Sequence, residues 1–280
     1  MWATPVVCEF DLSDDQIDYL AVLLDLQTWP AVLAGGSRHE FVDEREKARA
    51  AAAAELSAAG WLTDDPHSTS GVGVTEALAE ALVILSAPDV VLEIRCHRET
   101  STGRICLARR GDHHVLATRT ESGLVLRDIA IGNDLEVGQL VTRLLEPADA
   151  TQVVPLSVSS VSVPAGELQN RLDGAHTAAG YADALYAMGV APADAATYAL
   201  AFDACRGHTE IVAIECAPGR MRRSEGAVAV YETARGRIVA GPSMSPDGRV
   251  WSTLSPGTGH RISQAVTLLM ETLPARRWLP

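Results

Sequence analysis

The feature of the sequence that most constrains its fold is a pattern of four short strand-like segments followed by one helix-like segment. The first copy begins after Pro88, where the apolar residues change from a helical period to alternation. Its segments are VVLEIRC (90–96), RICLARR (104–110), HVLATR (114–119), GLVLRDI (123–129) and the helical LEVGQLVTRLLEP (135–147). Turn-sized gaps between strands are typical of antiparallel neighbours. The sequence therefore predicts an antiparallel meander with a closing helix.

A second copy of the pattern follows later in the chain. Its segments are EIVAIEC (210–216), GAVAVYE (226–232), RIVAG (237–241), RVWSTL (249–254) and the helical stretch 262–273. The copies align as Ile94 with Ile214, Cys96 with Cys216, Gly123 with Gly248 and Val141-Thr142 with Val266-Thr267, at offsets that drift from 120 to 125. We therefore predict two related halves, 1–146 and 147–280, which share one sheet within one continuous globular unit.

Helix-like segments precede each meander. In the first half a strand from Val6 to Leu12 meets Ser13 and Gln16, whose spacing is that of a capping box opening a helix to about Leu26. The further helical segments are 40–59, 75–85, 166–172, 178–188 and 192–205. We expect 63–73 to be a loop, and 146–164 to be part linker and part strand. The predicted class is α+β, with a quasi-two-fold repeat and a central antiparallel sheet flanked by two helical bundles.

The turn SPGTGHR (255–261) has the order strand, glycine turn, helix that phosphate-binding loops also have. It lacks the lysine of a P-loop and does not match G-x-G-x-x-G. It also stands where IGND (131–134) stands in the first copy. We therefore interpret it as a chain reversal in which Thr258 caps the closing helix.

Charge and composition limit the classes of function. Asp and Glu number 36 against 23 Lys and Arg, a net charge of −13. This acidity disfavours nucleic-acid binding, which needs a basic face. The N-terminus MWATPVVCEFDLSDD lacks a basic leader, and no apolar run reaches 18 residues. We expect a cytoplasmic protein that does not insert into a membrane.

Two sets of residues resemble chemical sites. The five cysteines are widely spaced and include no Cys-x-x-Cys pair, so we interpret them as buried thiols of a reducing compartment: Cys8, Cys96, Cys106, Cys205 and Cys216. Asp112-His113-His114 falls on an expected hairpin turn, and adjacent strand residues point to opposite faces. We interpret this set as a surface turn, and predict no catalytic residue, metal or cofactor.

Several stretches together resemble one known family. They are RRGDHHVLATR (109–119), EIVA (210–213), GRIVAGPS (236–243), WSTLSPGTGHRI (251–262) and LPARRWLP (273–280). Together with the doubled element order, they resemble the EspG family of type VII (ESX) secretion chaperones, over nearly the whole chain from Val6 to Pro280. The C-terminal strand-SPGT-helix-LP block is the most specific part.

The resemblance implies a function without catalysis. Members of this family are cytosolic α+β proteins that bind the PPE subunit of a PE–PPE heterodimer at its helical tip, keep it soluble and direct it to its secretion system. The resemblance also suggests the ESX secretion machinery as a further partner. We expect the chain itself to be a monomer or a weak dimer.

The two leading strands suggest where such a partner would bind. Alternation separates Leu92, Ile94 and Cys96 from Val91, Glu93 and Arg95, and separates Val212, Ile214 and Cys216 from Ile211, Ala213 and Glu215. We predict that the second, mixed set of each strand forms an uncovered docking face. The loop 97–104 adds Arg98 and Arg104, because this loop can contact PPE proteins in the family. The predicted partner-binding residues are Glu93, Arg95, Arg98, Arg104, Ile211, Ala213, Glu215 and Trp251.

Two other classes of function stay open at this point. A groove between the halves could hold a small ligand, with Asp112 and His114 as acid and base, which would make the protein an enzyme. An uncovered sheet face could instead pair with a second copy of the chain, which would make it a self-associating structural protein.

Overall fold

The computed structural model of the chain describes residues 6–33, 39–68, 70–147 and 153–280. Part of the N-terminal stretch and residues 148–152 of the expected linker lie outside the described residues. The chain divides into two compact units, Met1–Glu93 with Arg104–Ala130, and Ile94–Gly103 with Ile131–Pro280. The closing helix of the first repeat thus belongs to the second unit, whereas the boundary of the repeats at 146/147 stays a prediction.

The first unit contains an antiparallel sheet in the order β1-β7-β6-β5-β4. Its strands are β1 Val6–Ser13, β4 Val90–Arg98 (as far as Glu93), β5 Thr102–Arg110 (from Arg104), β6 His113–Arg119 and β7 Gly123–Ile129. Its helices are α1 Asp14–Leu23, α2 Val42–Ala58 and α3 Glu76–Ser86, with a 3-10 turn at Ala31–Leu33. The predicted capping box is confirmed, because Ser13 and Gln16 exchange both side-chain to backbone bonds. The meander strands lie where the alternation predicted them.

The expectation of a loop at 63–73 is wrong in part. Leu62–Asp64 (β2) and Val72–Val74 (β3) pair as a small antiparallel hairpin. Thr63 lies opposite Gly73, where an added Cβ would come within 2.9 Å of the Thr63 Oγ1 atom. The strands are only three residues long, which is too short for alternation to give a signal.

The second unit has the sheet order β4-β9-β11-β12-β13-β8, with β10 also paired to β9. Its strands are β8 Val161–Pro164, β9 Cys205–Ala217, β10 Arg220–Arg223, β11 Val228–Thr233, β12 Ile238–Met244 and β13 Val250–Pro256. Its helices are α4 Asp134–Leu144, α5 Ala165–Asp173, α6 Ala178–Ala187, α7 Pro192–Asp203 and α8 Gly259–Met270. Strand β9 begins five residues before the predicted start, and β10 was not predicted.

The order of elements repeats more fully than the sequence indicated. An edge strand, three helices, a meander and a closing helix occur in each copy. The edge strands β1 and β8 each pair antiparallel with the last meander strand of their own copy, β7 and β13. The predicted α+β class and repeat are confirmed, and the strand expected within 146–164 is β8. Thr258 caps α8 by accepting a bond from the Arg261 backbone N–H, as expected.

Helices cover both faces of the sheet in the second unit. Helices α5 to α7 pack on one face around a core that includes Tyr198, Phe202 and the strand residue Ala240. The next residue of the strand, Gly241, faces helix α8, where an added Cβ would lie 2.7 Å from the Ala265 Cβ atom. Because neighbouring strand residues point to opposite faces, α8 lies on the face away from α5 to α7. We call these two sides the bundle face and the α8 face.

The two closing helices cross at small residues. An added Cβ on Gly138 of α4 would lie 2.7 Å from the Ser263 carbonyl oxygen of α8. Thr142 donates to the Gly259 carbonyl at 3.2 Å, so the backbones approach closely. Gly138 and Ser263 differ by 125 positions, the offset at which Val141-Thr142 aligns with Val266-Thr267. The helices therefore meet at residues that the predicted repeat makes equivalent.

Candidate partner-binding surface

The stacked rings of His97 and His208 define how strands β4 and β9 face each other in the second unit. Their ring centroids are 4.6 Å apart, and the rings are 25° from parallel. His208 lies opposite Tyr231 of β11. The ring of Tyr231 packs on Phe202 of helix α7, with 5.1 Å between the ring centroids. His97 and His208 therefore lie on the bundle face. Alternation places Arg95 there too, together with Glu210, Val212, Ile214 and Cys216.

The other residues of β9 lie on the α8 face, where the chain covers them itself. Val228, which pairs with Ile211, and Ile211 itself are fully buried. Ala213 is also fully buried, and helix α8 contacts strand β9. Glu215 accepts a bond of 2.8 Å from the backbone N–H of Ala275, just beyond α8. The predicted exposure of Ile211, Ala213 and Glu215 on an open sheet face is therefore wrong.

The error comes from the register of the leading strands. An even offset of 120 puts Ile94 and Ile214 on the same face, and likewise Cys96 and Cys216. In the structure, the odd-numbered His97 and the even-numbered His208 share a face. Residues of β4 and β9 that share a face must therefore differ by an odd number. A slip of one residue moves every side chain of a strand to the other face. The alignment that holds for the closing helices therefore fails for the leading strands.

The remaining predicted residues are dispersed. Glu93 is buried, and its carboxylate accepts a 3.0 Å bond from the backbone N–H of Val32, so it caps the 3-10 turn and is not a rim residue. Arg104 is half-buried in the first unit. Arg98 is exposed at the end of β4, where its side chain contacts Gly207. Trp251 is half-buried on β13, three strands from β9, opposite Pro164 and Ser243.

An apolar strip that the sequence analysis did not select lies on the bundle face of β9 and β10. It consists of Val212, Ile214, Cys216 and Met221, and we call it the β9 strip. Met221 lies opposite Cys216 and is 70% exposed, whereas Ile214 and Cys216 are half-buried. The hairpin turn Pro218-Gly219 was a signal for β10 in the sequence, since Gly219 has the positive φ of +67° that such turns use.

Charged groups border the β9 strip. Arg223, opposite Ile214, approaches the Glu210 carboxylate at 3.6 Å in an exposed ion pair. Burial lowers the pKa of His208, and the electrostatic effect of the neighbouring His97 lowers it further. An apolar strip with a polar rim is the composition of a protein interface.

The candidate acid–base set does not form an accessible site. His114 is 1% exposed, and burial is the largest cause that lowers its pKa to about 4. Asp112 is exposed on the turn. A buried ring cannot reach a substrate in solvent. Within the described ranges, no group of three His, Cys, Asp or Glu side chains could hold a metal ion.

The cysteines differ from the expectation of buried thiols. Cys106 is buried, whereas Cys8, Cys96 and Cys216 are half-buried and Cys205 is exposed. Cys205 stands at the first position of β9, which begins earlier than predicted, so its thiol is outside the core. In the part of the chain that the structure describes, no helix combines the length and apolar composition needed to cross a membrane.

Comparisons with known proteins agree with the fold. A sequence model of the EspG family matches residues 13–267. The ESX-1 secretion-associated protein EspG1 of Mycobacterium tuberculosis is 32% identical over 206 residues, which cover 72% of this chain and 67% of that protein. The ESX-3 secretion-associated protein EspG3 of Mycolicibacterium smegmatis is 27% identical over 271 residues, covering 96% and 89%.

A solved structure resembles nearly the whole chain. It is the M. tuberculosis type VII secretion system chaperone EspG5 in complex with the PE25–PPE41 dimer, with a TM-score of 0.78 at 20% identity. The likeness covers 97% of this chain and 99% of that one. At this identity it establishes the shared α+β fold.

Proposed function

The chain belongs to the EspG family, and we propose that it is a type VII secretion chaperone which binds the helical tip of a PPE subunit in a PE–PPE heterodimer. In this function it keeps the cargo soluble in the cytoplasm and directs it to its ESX secretion system. Two family relatives are secretion-associated proteins, and the structural neighbour holds a PE–PPE dimer.

The observation that carries the proposal is the β9 strip. A helical tip with exposed apolar residues aggregates in water, and a partner that covers those residues stabilises its soluble form. Ile214, Cys216 and Met221 supply accessible apolar contacts on one sheet face. Arg95 and the pair of Glu210 with Arg223 supply a polar rim. We propose that the PPE tip docks on this strip, with Arg95 as the rim residue retained from the predicted set.

The test is a charge placed in the strip. The Ile214→Glu and Met221→Glu variants should each lose co-purification with the PE–PPE pair encoded beside the gene, because the partner would bury an unpaired carboxylate. Such a charge costs several kcal/mol, so we expect affinity to fall by about 100-fold or more. Ala217→Glu is the matched control, since Ala217 is exposed on the same hairpin and points to the α8 face. If both strip variants retain the cargo at the yield of wild type, the strip is the wrong surface.

The same strip allows a second candidate, self-association. A half-exposed apolar strip on a sheet face can pair with its own copy. Light scattering of the purified chain without cargo distinguishes the two: a dimer that Met221→Glu dissociates supports pairing, and a monomer supports the chaperone. We propose no catalytic activity, because the candidate base His114 is buried.

A further inference from the structure

Arginines from two distant segments converge on a small concavity of the second unit. Strand β10 supplies Arg220, Arg222 and Arg223, all exposed. The turn after α8 supplies Arg276 and Arg277, also exposed. The concavity has a volume of about 300 Å³ and is lined by Arg222, Arg223 and Arg276 together with Met244 and Pro274. The chain has a net charge of −13, so this cluster is a locally basic patch on an acidic protein.

The turn that presents Arg276 is held in place. Arg276 has a φ of +57°, a left-handed conformation that is uncommon outside glycine. The residues around it fix this backbone, because Leu273 and Trp278 are buried and the Leu279 N–H donates to Asp134. The Ala275 N–H donates to Glu215, which lies opposite Arg222 on the hairpin. The two arginine-bearing segments are therefore fixed next to each other.

The cations of this cluster are largely uncommitted. In the ranges that the structure describes, Arg220, Arg222, Arg276 and Arg277 form no ion pair, and Arg223 has only the 3.6 Å contact with Glu210. A guanidinium binds a carboxylate through two parallel N–H bonds, which makes arginine well suited to acidic partners. The cluster therefore has unused capacity for carboxylates.

The surroundings favour a short peptide over a continuous polyanion. Glu225 and Glu271 also line the concavity, so an unbroken row of phosphates would meet two carboxylates. The side chain of Met244 is 44% exposed and offers an apolar contact beside the arginines. A segment with a few carboxylates and an apolar residue matches this combination of charge and shape.

We propose that the concavity is a second protein-docking site, which takes a short acidic and apolar segment of a protein other than the cargo. This proposal rests on the proposed function, because the site would connect the cargo-loaded chaperone to another component. Arg222 points to the α8 face, whereas the β9 strip lies on the bundle face. Arg223 lines the concavity and also borders the strip, so the two sites adjoin, and the variants that test them change different residues.

The test uses a fluorescein-labelled peptide, DELDEL, titrated into the full-length chain. Fluorescence anisotropy should give a dissociation constant of about 10–100 μM, as expected for a small interface. The Arg222→Glu/Arg276→Glu variant should bind about tenfold or more weakly. Arg110→Glu/Arg235→Glu is the matched control, because both residues are exposed and lie outside the cluster. The amide peptide NQLNQL and the peptide DESDES should both bind more weakly than DELDEL.

Three results would overturn the proposal. The first is equal binding of DELDEL by the two double variants. The second is stronger binding to phosphatidylserine-containing vesicles than to the peptide, in a manner that Arg222→Glu/Arg276→Glu abolishes, since the partner would then be a membrane. The third is loss of PE–PPE co-purification in Arg222→Glu/Arg276→Glu, which would make the cluster part of the cargo site. Cargo binding retained in the Ile214→Glu and Met221→Glu variants would count against the proposed function of the β9 strip and leave this site intact.

Discussion

The two faces of strand β9 carry similar apolar side chains, but they differ in how far the chain covers them near the β10 hairpin. On the α8 face, Ile211 and Ala213 are fully buried beneath a helix of the same chain. On the bundle face, Ile214 and Cys216 are half-buried, and Met221 beside them is exposed. Apolar character alone does not distinguish these faces. The difference comes from which neighbouring elements cover each side.

The comparison explains why the mixed composition of one face was misleading. Glu215 appeared to belong to a rim because carboxylates are seldom buried. In the structure it accepts the Ala275 N–H and ties the turn after α8 to the sheet. Glu93 likewise binds the Val32 N–H. Both carboxylates satisfy backbone donors of their own chain, which is a structural use of charge.

The largest expected effect separates the two faces directly. Ala213→Glu would bury a carboxylate under α8, and we expect the free energy of unfolding to fall by about 3–5 kcal/mol. Ile214→Glu, one residue further along, should cost less than about 1.5 kcal/mol because its side chain reaches solvent. Urea denaturation followed by circular dichroism measures both. Equal losses in the two variants would mean that the faces are not distinct in coverage.

Local signals predicted much of the fold. The Ser13–Gln16 capping box, the Thr258 cap and the alternation of the first meander each depend on residues close in sequence, and each is found in the structure. Gly60 follows the end of α2 and has a φ of +74°, a conformation that is common for glycine just after a helix. These features need no information from distant parts of the chain.

The binding surface could not be predicted in the same way. Choosing a face requires the register between strands and the position of α8, both of which depend on residues far apart in sequence. The repeat gave the correct offset at Val141-Thr142, because packed closing helices keep their length. It gave the wrong parity at Ile94 and Ile214, where loops of different length intervene and one residue reverses the face.

A second prediction compares a covered histidine with one on the bundle face. Burial lowers the pKa of His114 to about 4 from 6.5, so the folded state excludes a proton that the unfolded state binds. The contribution of neutral His114 to the free energy of unfolding is therefore fully present above pH 6.5. It falls by about 3 kcal/mol in total as the pH drops toward 4. Urea titrations at several pH values should yield a weaker pH dependence for His114→Gln. His208→Gln, at an exposed position, should change the pH dependence of stability little. A larger change in His208→Gln than in His114→Gln would contradict this prediction.

The smallest expected effect concerns the contact between strand β12 and helix α8, which covers the α8 face of the sheet. An added Cβ on Gly241 would lie 2.7 Å from the Ala265 Cβ atom, so Gly241→Ala should cost about 1–3 kcal/mol by overpacking. Gly166→Ala is the matched control, because no atom lies within 4 Å of its added Cβ and it stands in helix α5, where alanine gains up to about 1 kcal/mol.

The double variant Gly241→Ala/Ala265→Gly removes the opposing methyl group. If the clash causes the loss, this double variant should be more stable than the sum of its single changes predicts. Strict additivity in denaturation would show that α8 does not hold the sheet face at this point.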